Sequence, residues 1–212
     1  MSTRRRLLAG AALLLPAMRV PAAANKKQEK EEEVAPGEDL MREHGVLNRA
    51  LLVYEAWLLR DGAPAQVLGG TADLIRRFIE GYHEKTEEEE LFPRFEKAGK
   101  LVDLTHVLRA QHEAGRRLTS QILAGGGDRA KVEAPIRAFI RMYRPHEARE
   151  DTVLFPAFQK LVGHKEYDRL GEKFEEREHK LFGEDGFDMA VRQVAQLEAA
   201  LGIADLAQFT PG

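Results

Sequence analysis

The chain has 212 residues, of which 43% are hydrophobic and 32% are charged, and its formal net charge is −3. This balance is ordinary for a soluble protein with one main domain, and it supplies enough apolar residues for a core. The slight acidity excludes the basic surface that nucleic-acid binding requires. Cysteine is absent, which excludes disulfides, thiolate nucleophiles and cysteine-ligated metal sites.

The first 24 residues are typical of a cleaved export signal. Arginines at positions 4–6 precede an apolar stretch at 7–18, and alanines at 22–24 resemble a cleavage site. The apolar stretch is shorter than the roughly 20 residues that a membrane span needs. The paired arginines resemble a twin-arginine signal, and an ordinary secretory signal is the alternative. We therefore expect a periplasmic or otherwise exported protein, free of the membrane after signal removal.

The remaining sequence predicts a flexible segment followed by helices. Residues 25–38 are highly charged and contain a Pro-Gly pair, which favours a linker. From residue 39 onward apolar positions recur at helical spacing, and no stretch shows the alternation of a strand. The predicted helices span residues 39–60, 71–97, 101–123, 128–162, 167–182 and 187–201, with Asp128 as the cap of the fourth.

Short connections between the four long helices indicate antiparallel neighbours. We therefore predict an all-α fold in which residues 39–162 form an up-down-up-down four-helix bundle. Residues 163–212 are predicted to form a C-terminal extension of accessory helices that packs on the bundle.

An internal repeat supports two related helical hairpins. The stretch HEKTEEEELFPRFEK (83–97) aligns without gaps with HEAREDTVLFPAFQK (146–160). The two copies share His, Glu, Glu, Leu, Phe, Pro, Phe and Lys. The pairs Glu43-His44 and Gln111-His112 correspond in the other helix of each hairpin. Two such hairpins would pack about an approximate two-fold axis.

Six polar residues occupy positions in the apolar stripes of these helices where leucine is expected. They are His44, His83, Glu87, His112, His146 and Glu150. Buried ionisable groups are costly unless they are paired or bind a metal. A single inward histidine is usually a hydrogen-bonded core residue, but six such residues in a repeated arrangement favour a shared metal centre. Imidazoles and carboxylates suit iron, zinc or manganese, and a carboxylate can bridge two ions.

The order of these residues resembles the hemerythrin-like, HHE cation-binding family, whose pattern is H…HxxxE…H…HxxxE across a four-helix bundle. The Leu-Phe-Pro that follows each HxxxE here also looks like the family. The resemblance covers about residues 39–162. It implies a site with two non-haem iron ions bridged by carboxylates, and zinc or manganese are the alternative metals.

The sequence also departs from the oxygen-carrying members of that family. Those proteins have HxxxH on the third helix, whereas Arg116 stands four residues after His112. The aspartate of their fourth helix is replaced by Glu150 at a shorter spacing. Simple reversible oxygen carriage is therefore not expected. We predict that His179, in the C-terminal extension, is a further ligand.

Other residues near these positions have less direct roles. Glu84 and Glu147, each next to a predicted ligand, are expected to lie behind the ligands or on the surface. His106 lies off the His112 face and His164 falls in a predicted loop beside Gly163, so neither is expected to bind the metal. Tyr54, Tyr82 and Tyr143 are expected either to hydrogen-bond the bridging carboxylates or to pack in the core.

Two functions follow from an open metal centre of this kind. The first is binding or sensing of a small diatomic ligand, dioxygen or nitric oxide, or binding of iron. The alternative is a di-iron oxidoreductase acting on peroxide, oxygen, nitric oxide or ferrous iron. A structural zinc or mixed-metal module is a third interpretation. The sequence does not indicate an oligomeric state.

Overall fold

The computed structural model describes residues 34–183 and 186–211. These residues are largely helical and contain no strand, which confirms the all-α class. The helices are α1 (Pro36–Leu59), α2 (65–98), α3 (Val102–Gly125), α4 (129–162), α5 (His164–Phe182) and α6 (Gly186–Leu201), followed by a 3₁₀ turn at Leu206–Phe209. The predicted export signal and residues 25–33 of the predicted linker lie outside the described residues.

Two helices begin earlier than predicted. Helix α1 starts at Pro36 inside the predicted linker, because proline suits the first turn, where its missing N–H leaves no bond unmade. Helix α2 starts at Ala65 and not at residue 71, and it runs through Gly69-Gly70, a pair that is typical of a break between helices. A Cβ atom on Gly70 would lie 3.0 Å from the Leu197 side chain of α6. This glycine therefore permits close packing of two helices and does not end one.

The start of α4 agrees with the sequence. The Asp128 side chain accepts a hydrogen bond of 3.1 Å from the Ala130 amide and so caps the helix. Helix α4 then continues through Pro145, and the predicted residue range of this helix is confirmed to within one residue.

Helices α2 and α4 contain π-helical turns at equivalent points of the internal repeat. These turns are Glu87–Leu91 and Glu150–Leu154, and α2 has another at Ile75–His83. Each of the two equivalent turns closes when the amide of the following phenylalanine bonds the carbonyl of the glutamate five residues earlier. Proline follows both phenylalanines, and a proline ring clashes with the carbonyl four residues before it in a regular α-helix. The wider π turn relieves that clash, which gives the repeated Leu-Phe-Pro a structural role.

The apolar core has two clusters, and polar residues separate them along the long helices. Residues Tyr54, Phe78, Ile136 and Phe139 belong to the first cluster. Leu40, Phe92, Leu108 and Phe155 belong to the second. Each of the four long helices contributes to both clusters and passes through the predicted ligand positions between them.

The C-terminal helices extend both clusters. Helix α5 adds Phe174 to the second cluster, and α6 adds Val194 to the first. The Gly37 amide of α1 donates to the Tyr167 hydroxyl of α5 at 2.8 Å. Two hydrogen bonds of 2.8 and 2.5 Å join the Arg49 guanidinium of α1 to the Glu198 carboxylate of α6. Both helices are therefore part of the packed structure and not a detached tail.

The four long helices contact one another in a closed ring, because α1 packs against α2 and α4 and α3 packs against the same two helices. Among residues 34–183 and 186–211, no helix combines the length and the apolar character needed to cross a membrane.

Gly115 permits a close approach between α3 and the Tyr143 side chain of α4. A Cβ atom at this position would lie 2.0 Å from the Tyr143 hydroxyl, so Gly115→Ala should lower the free energy of unfolding by about 1–3 kcal/mol. Gly69→Ala is the control, since its Cβ would meet nothing within 4 Å, and it should raise stability by about 0.5–1 kcal/mol. Urea unfolding of the two variants measures both effects. Equal changes in the free energy of unfolding of the two variants would show that the Tyr143 side chain does not limit the size of residue 115.

Candidate metal centre

Six buried side chains from the four long helices converge between the two apolar clusters. These side chains form two groups, and within each group one nitrogen or oxygen atom from each side chain lies within 4.8 Å of the corresponding atoms of the others. One group contains His44, His83, Glu87 and Glu150, and the other contains Glu87, His112, His146 and Glu150. The two glutamates belong to both groups. The geometry therefore provides two adjacent positions for a cation that share two carboxylates.

The inner nitrogen of every histidine faces one of these shared carboxylates. Glu150 Oε2 lies 3.3 Å from His44 Nε2 and 3.1 Å from His146 Nε2. Glu87 Oε2 lies 3.4 Å from His112 Nε2 and 3.8 Å from His83 Nε2. All four Nε2 atoms therefore point toward the space between the two glutamates.

The outer nitrogen of every histidine has an acceptor of its own. The four Nδ1 contacts are His44 to Asp151 at 2.7 Å, His83 to Glu43 at 2.5 Å, His112 to Glu88 at 3.2 Å and His146 to Gln111 at 2.9 Å. In a neutral imidazole, an acceptor at Nδ1 holds the proton there and leaves the Nε2 lone pair available to a metal. Histidines that bind metals usually have such a partner on the other ring nitrogen.

These outer contacts follow the internal repeat. The residue before each single histidine, Glu43 or Gln111, contacts the HxxxE histidine of the same hairpin. The residue after each shared glutamate, Glu88 or Asp151, contacts the single histidine of the other hairpin. The approximate two-fold relation predicted from the sequence thus extends to the residues around the six.

The phenylalanines of the two Leu-Phe-Pro segments support the single histidines. The Phe155 ring stacks on the His44 ring and the Phe92 ring stacks on the His112 ring, each with a centroid separation of 5.5 Å. The π turn that precedes each phenylalanine brings this ring beside the histidine of the neighbouring helix. Each single histidine is therefore held by an acceptor at Nδ1 and by an aromatic face.

A further layer of contacts is also repeated. Asn48 and Arg116 each stand four residues after a single histidine, and they contact Glu147 and Glu84. The Arg116 guanidinium lies 2.8 Å from Glu84 and 2.6 Å from Glu88. These two carboxylates and His112 also lie close enough to hold a cation, but the arginine already supplies the positive charge. Glu84 and Glu147 are therefore buried behind the six residues and are not exposed.

The three tyrosines do not contact the shared glutamates. The Tyr143 hydroxyl donates to Glu84 at 2.5 Å, and the Tyr82 hydroxyl donates to the Phe174 carbonyl at 3.4 Å. The Tyr54 hydroxyl is buried without a hydrogen-bond partner among the described residues. Of the two roles expected for the tyrosines, hydrogen bonding to the shared carboxylates is wrong. Core packing is the main role of Tyr54 and Tyr82.

The structure does not bring His179 to the cluster. The inward positions of α5 are Tyr167, Leu170, Gly171 and Phe174, and His179 falls on the outer side, where it is exposed. Helical spacing explains the difference, because position 178, and not 179, continues the inward row. His106 and His164 are also exposed, in agreement with the expectation that neither is a metal ligand.

The sequence reasoning missed the four acceptors behind the histidines. The signal was present in the repeat, because Glu43 aligns with Gln111 and Glu88 aligns with Asp151. The contact partners lie on other helices, so the pairing of Glu88 with His112 or of Asp151 with His44 requires the three-dimensional structure.

Burial and charge change the acidity of the central groups. Burial, together with the Glu150 carboxylate, raises the pKa of Glu87 well above its usual value. Burial opposes ionisation of Glu150 as well, but His146 and His44 hold its pKa well below the usual value. In the protein without metal, the two carboxyl groups therefore favour a state in which the pair holds one proton.

Three further carboxyl groups hold protons at neutral pH. Burial raises the pKa of Glu43, of Glu84 and of Glu147 to about 8 in each case. Burial also lowers the pKa of His112 to about 4, against the opposing effect of Glu88. The pKa of His44 is raised to about 10, because the Asp151 and Glu150 carboxylates outweigh the effect of burial.

These pKa values set how the stability of the metal-free protein depends on pH. Between pH 6.5 and 8 the folded chain holds protons on Glu43, Glu84 and Glu147 that the unfolded chain has released. Stability should therefore fall as pH rises through this interval, and the raised pKa of His44 acts in the same direction. Glu84→Gln should reduce the slope by about 1 kcal/mol per pH unit. Urea unfolding in the presence of a chelator at several pH values measures this slope. A rise in stability toward pH 8 would contradict the assignment of protons to these carboxyl groups.

The comparison with known proteins agrees with this geometry. The family model of the hemerythrin HHE cation-binding domain matches residues 35–158 and again 103–210, and the second match begins in α3, where the internal repeat begins again. Uncharacterised proteins of Mycobacterium tuberculosis and Mycobacterium bovis are each 49% identical over 195 residues, covering 86% of this chain and 76% of the relative. No solved structure matches the chain at a comparable significance. The chain belongs to the hemerythrin HHE cation-binding domain family.

Proposed function

We propose that the six buried residues bind two iron ions. The observation that carries this proposal is that all four carboxylate oxygens of Glu87 and Glu150 are buried and accept no hydrogen bond among the described residues, although histidine Nε2 atoms face one oxygen of each glutamate. A buried polar atom without a partner costs free energy, and a buried carboxylate costs more. Coordination to cations would satisfy all four oxygens, so the residues present fit a metal centre.

The repeat suggests how the donors would be divided. His44 and His83 would hold one ion, His112 and His146 would hold the other, and both glutamates would serve each ion. Imidazole nitrogens and carboxylate oxygens suit iron, and zinc or manganese remain the alternatives. Four protein donors for each ion leave coordination positions free, and a metal with free positions can bind a small molecule from solution.

We infer that the ligand is a small diatomic molecule, dioxygen or nitric oxide. The membership of the hemerythrin family, the free coordination positions and the apolar clusters on both sides of the site support this inference. Arg116 stands at the position of a histidine in the oxygen-carrying hemerythrins. Because its guanidinium pairs with Glu84 and Glu88, it supplies no further nitrogen donor, which favours sensing over reversible oxygen transport.

A second function, that of an oxidoreductase for peroxide, oxygen, nitric oxide or ferrous iron, is favoured by one observation. A polar chain runs from His112 through Glu88 and Arg116 to Glu84 and Tyr143. Arg116 reaches the surface, with 27% of its side chain exposed. Glu84 is the group in this polar chain that can supply a proton to an oxidant as it is reduced, because burial raises its pKa to about 8.

Two further proposals complete this picture. We infer that the four long helices run alternately up and down, because short connections join them and neighbouring helices in the chain pack together. We also propose export of the protein, on the basis of the arginines and the apolar stretch in residues 1–24. Detection of the processed chain in the periplasm of a suitable host would test this localisation.

The ligand assignment predicts which variants lose metal. After anaerobic reconstitution with ferrous iron, His146→Ala and Glu150→Ala should each retain far less than the two ions of the unaltered protein, because each removes a donor atom. His106→Ala and His179→Ala should retain both, because these side chains are exposed on α3 and α5. Elemental analysis measures the ratio of iron to protein. Loss of metal from the His106 variant alone would show that the assignment is wrong, and loss from the His179 variant would restore His179 as a ligand.

The choice between binding and catalysis can be tested on the same preparation. Oxygen, nitric oxide and peroxide are added separately to the di-ferrous protein, and the visible absorption spectrum is followed in time. A stable ligand-to-metal charge-transfer band that disappears when the gas is removed supports binding. Continued consumption of one oxidant with an added electron donor supports an oxidoreductase. Zinc at full stoichiometry in the protein as isolated, with no capacity for iron, would contradict both.

A further inference from the structure

One histidine of the metal centre lies behind a surface groove, whereas its equivalent in the internal repeat is sealed in the core. We propose that small molecules reach the metal centre through this groove, which lies between α3 and α4, and that the Gln111 side chain is the gate at its inner end. The inference rests on the proposed function, because it requires a metal centre that binds a small ligand.

The groove leads to the side chain that supports His146. It has a volume of about 580 Å³, and α3 contributes Gln111 to its wall. The Gln111 Oε1 atom lies 2.9 Å from Nδ1 of His146, so only this side chain's contact separates the groove from the His146 ring. Since one water molecule takes up about 30 Å³ of the liquid, a diatomic molecule fits easily. The residues of α4 that line the groove are Ala134, Arg137, Ala138, Arg141, Met142 and Pro145.

The equivalent face of α2 is not open. Continued toward the N-terminus, the alignment of the internal repeat pairs four residues of the groove wall with residues of α2. Those on α4 are exposed or partly exposed, namely Ala138, Arg141, Met142 and Pro145. Their counterparts on α2 are at most 1% exposed and belong to the first apolar cluster, namely Ile75, Phe78, Ile79 and Tyr82.

The C-terminal helices account for this difference. Helix α6 packs on α1 and α2, and α5 packs on α1. The Phe182 ring of α5 lies on the rings of Phe78 and Tyr82, with centroid separations of 5.9 and 5.8 Å. Glu43, the counterpart of Gln111, is fully buried, whereas Gln111 is partly exposed. The extension therefore closes one side of the bundle and leaves the side between α3 and α4 open.

Gln111 is suited to open and close this path. Its side chain is a neutral amide at the surface, so when it turns outward its hydrogen-bond partner in the protein is replaced by water at a modest net cost. Rotamer changes of exposed side chains are also fast. Glu43 has no solvent to turn into. The alternative approach is past Asp151, which contacts His44 and has 35% of its side chain exposed.

The experiment uses single thiols, which can be placed one at a time because the chain has no cysteine. Met142→Cys puts a thiol in the groove one helical turn before His146, and Ala138→Cys puts one farther along the same wall. Ala148→Cys is the matched control, because this exposed position of α4 does not line the groove and lies three residues before Asp151. Each variant is modified with methyl or benzyl methanethiosulfonate before anaerobic reconstitution with ferrous iron.

Stopped-flow absorption gives the rate constant for association of nitric oxide, and transfer to an excess of a nitric oxide trap gives that for dissociation. The benzyl group at position 142 or 138 should lower both rate constants by the same factor, about tenfold or more. The Kd should not change, because an obstruction in a path raises the barrier in both directions. The methyl group should have little effect at any position, and the benzyl group at position 148 should have none.

The possible results separate this inference from the function on which it rests. Unchanged rate constants with the benzyl group at positions 142 and 138, in proteins that bind two iron ions, would overturn the route alone. Slower binding in the Ala148 variant instead would also overturn it and favour entry past Asp151. A changed Kd without a matched fall in both rate constants would show that the label distorts the site and would overturn it too. Circular dichroism checks folding, and the Ala138 variant decides the question if Met142→Cys does not fold. Iron without any binding of nitric oxide would overturn the proposed ligand together with the route.

Discussion

Two carboxylates lie in the core of this protein, and none of their four oxygens has a hydrogen-bond partner among the described residues. Glu87 and Glu150 are fully buried between two apolar clusters, where an isolated negative charge is too costly to keep. The chain without metal lessens the cost by placing a proton on one of the two. The surrounding histidines and their acceptors form an environment in which cations can take the place of that proton.

The remaining contacts hold four imidazoles in a fixed orientation around this acidic pair. An acceptor at Nδ1 fixes each ring, and a phenylalanine covers the ring of each single histidine. Because neighbouring helices supply the two kinds of support, the position of each histidine depends on the packing of several helices at once. The protein thus bears the cost of ordering the ligands when it folds and not when it binds, which is the basis of preorganised binding.

The sequence was most informative where one residue type recurs at a fixed spacing. Periodicity predicted the all-α class and the approximate extent of most of the helices, and the repeated His-x-x-x-Glu together with the two single histidines predicted which six side chains would meet. It failed at Gly69-Gly70, where a pair typical of a break serves a close contact with α6. It also failed at His179, because a single histidine on a helix carries no information about which face will be covered. The acceptors behind the histidines depend on contacts between helices, so pattern alone could not assign them.

The π turns at Glu87–Leu91 and Glu150–Leu154 have a consequence for how this sequence can change. A π turn accommodates one extra residue in an α-helix, so the side chains before and after it keep the faces that they would have in a regular helix. Deletion of that one residue would restore α-helical winding without turning the later apolar residues toward solvent, but the proline ring would then clash with the carbonyl four residues before it. An extra residue elsewhere in the helix would instead rotate every later side chain by about 100° relative to the ligands before it. The length of each segment is therefore tied to its proline, and related proteins that keep the Leu-Phe-Pro should keep the number of residues between each histidine and its proline.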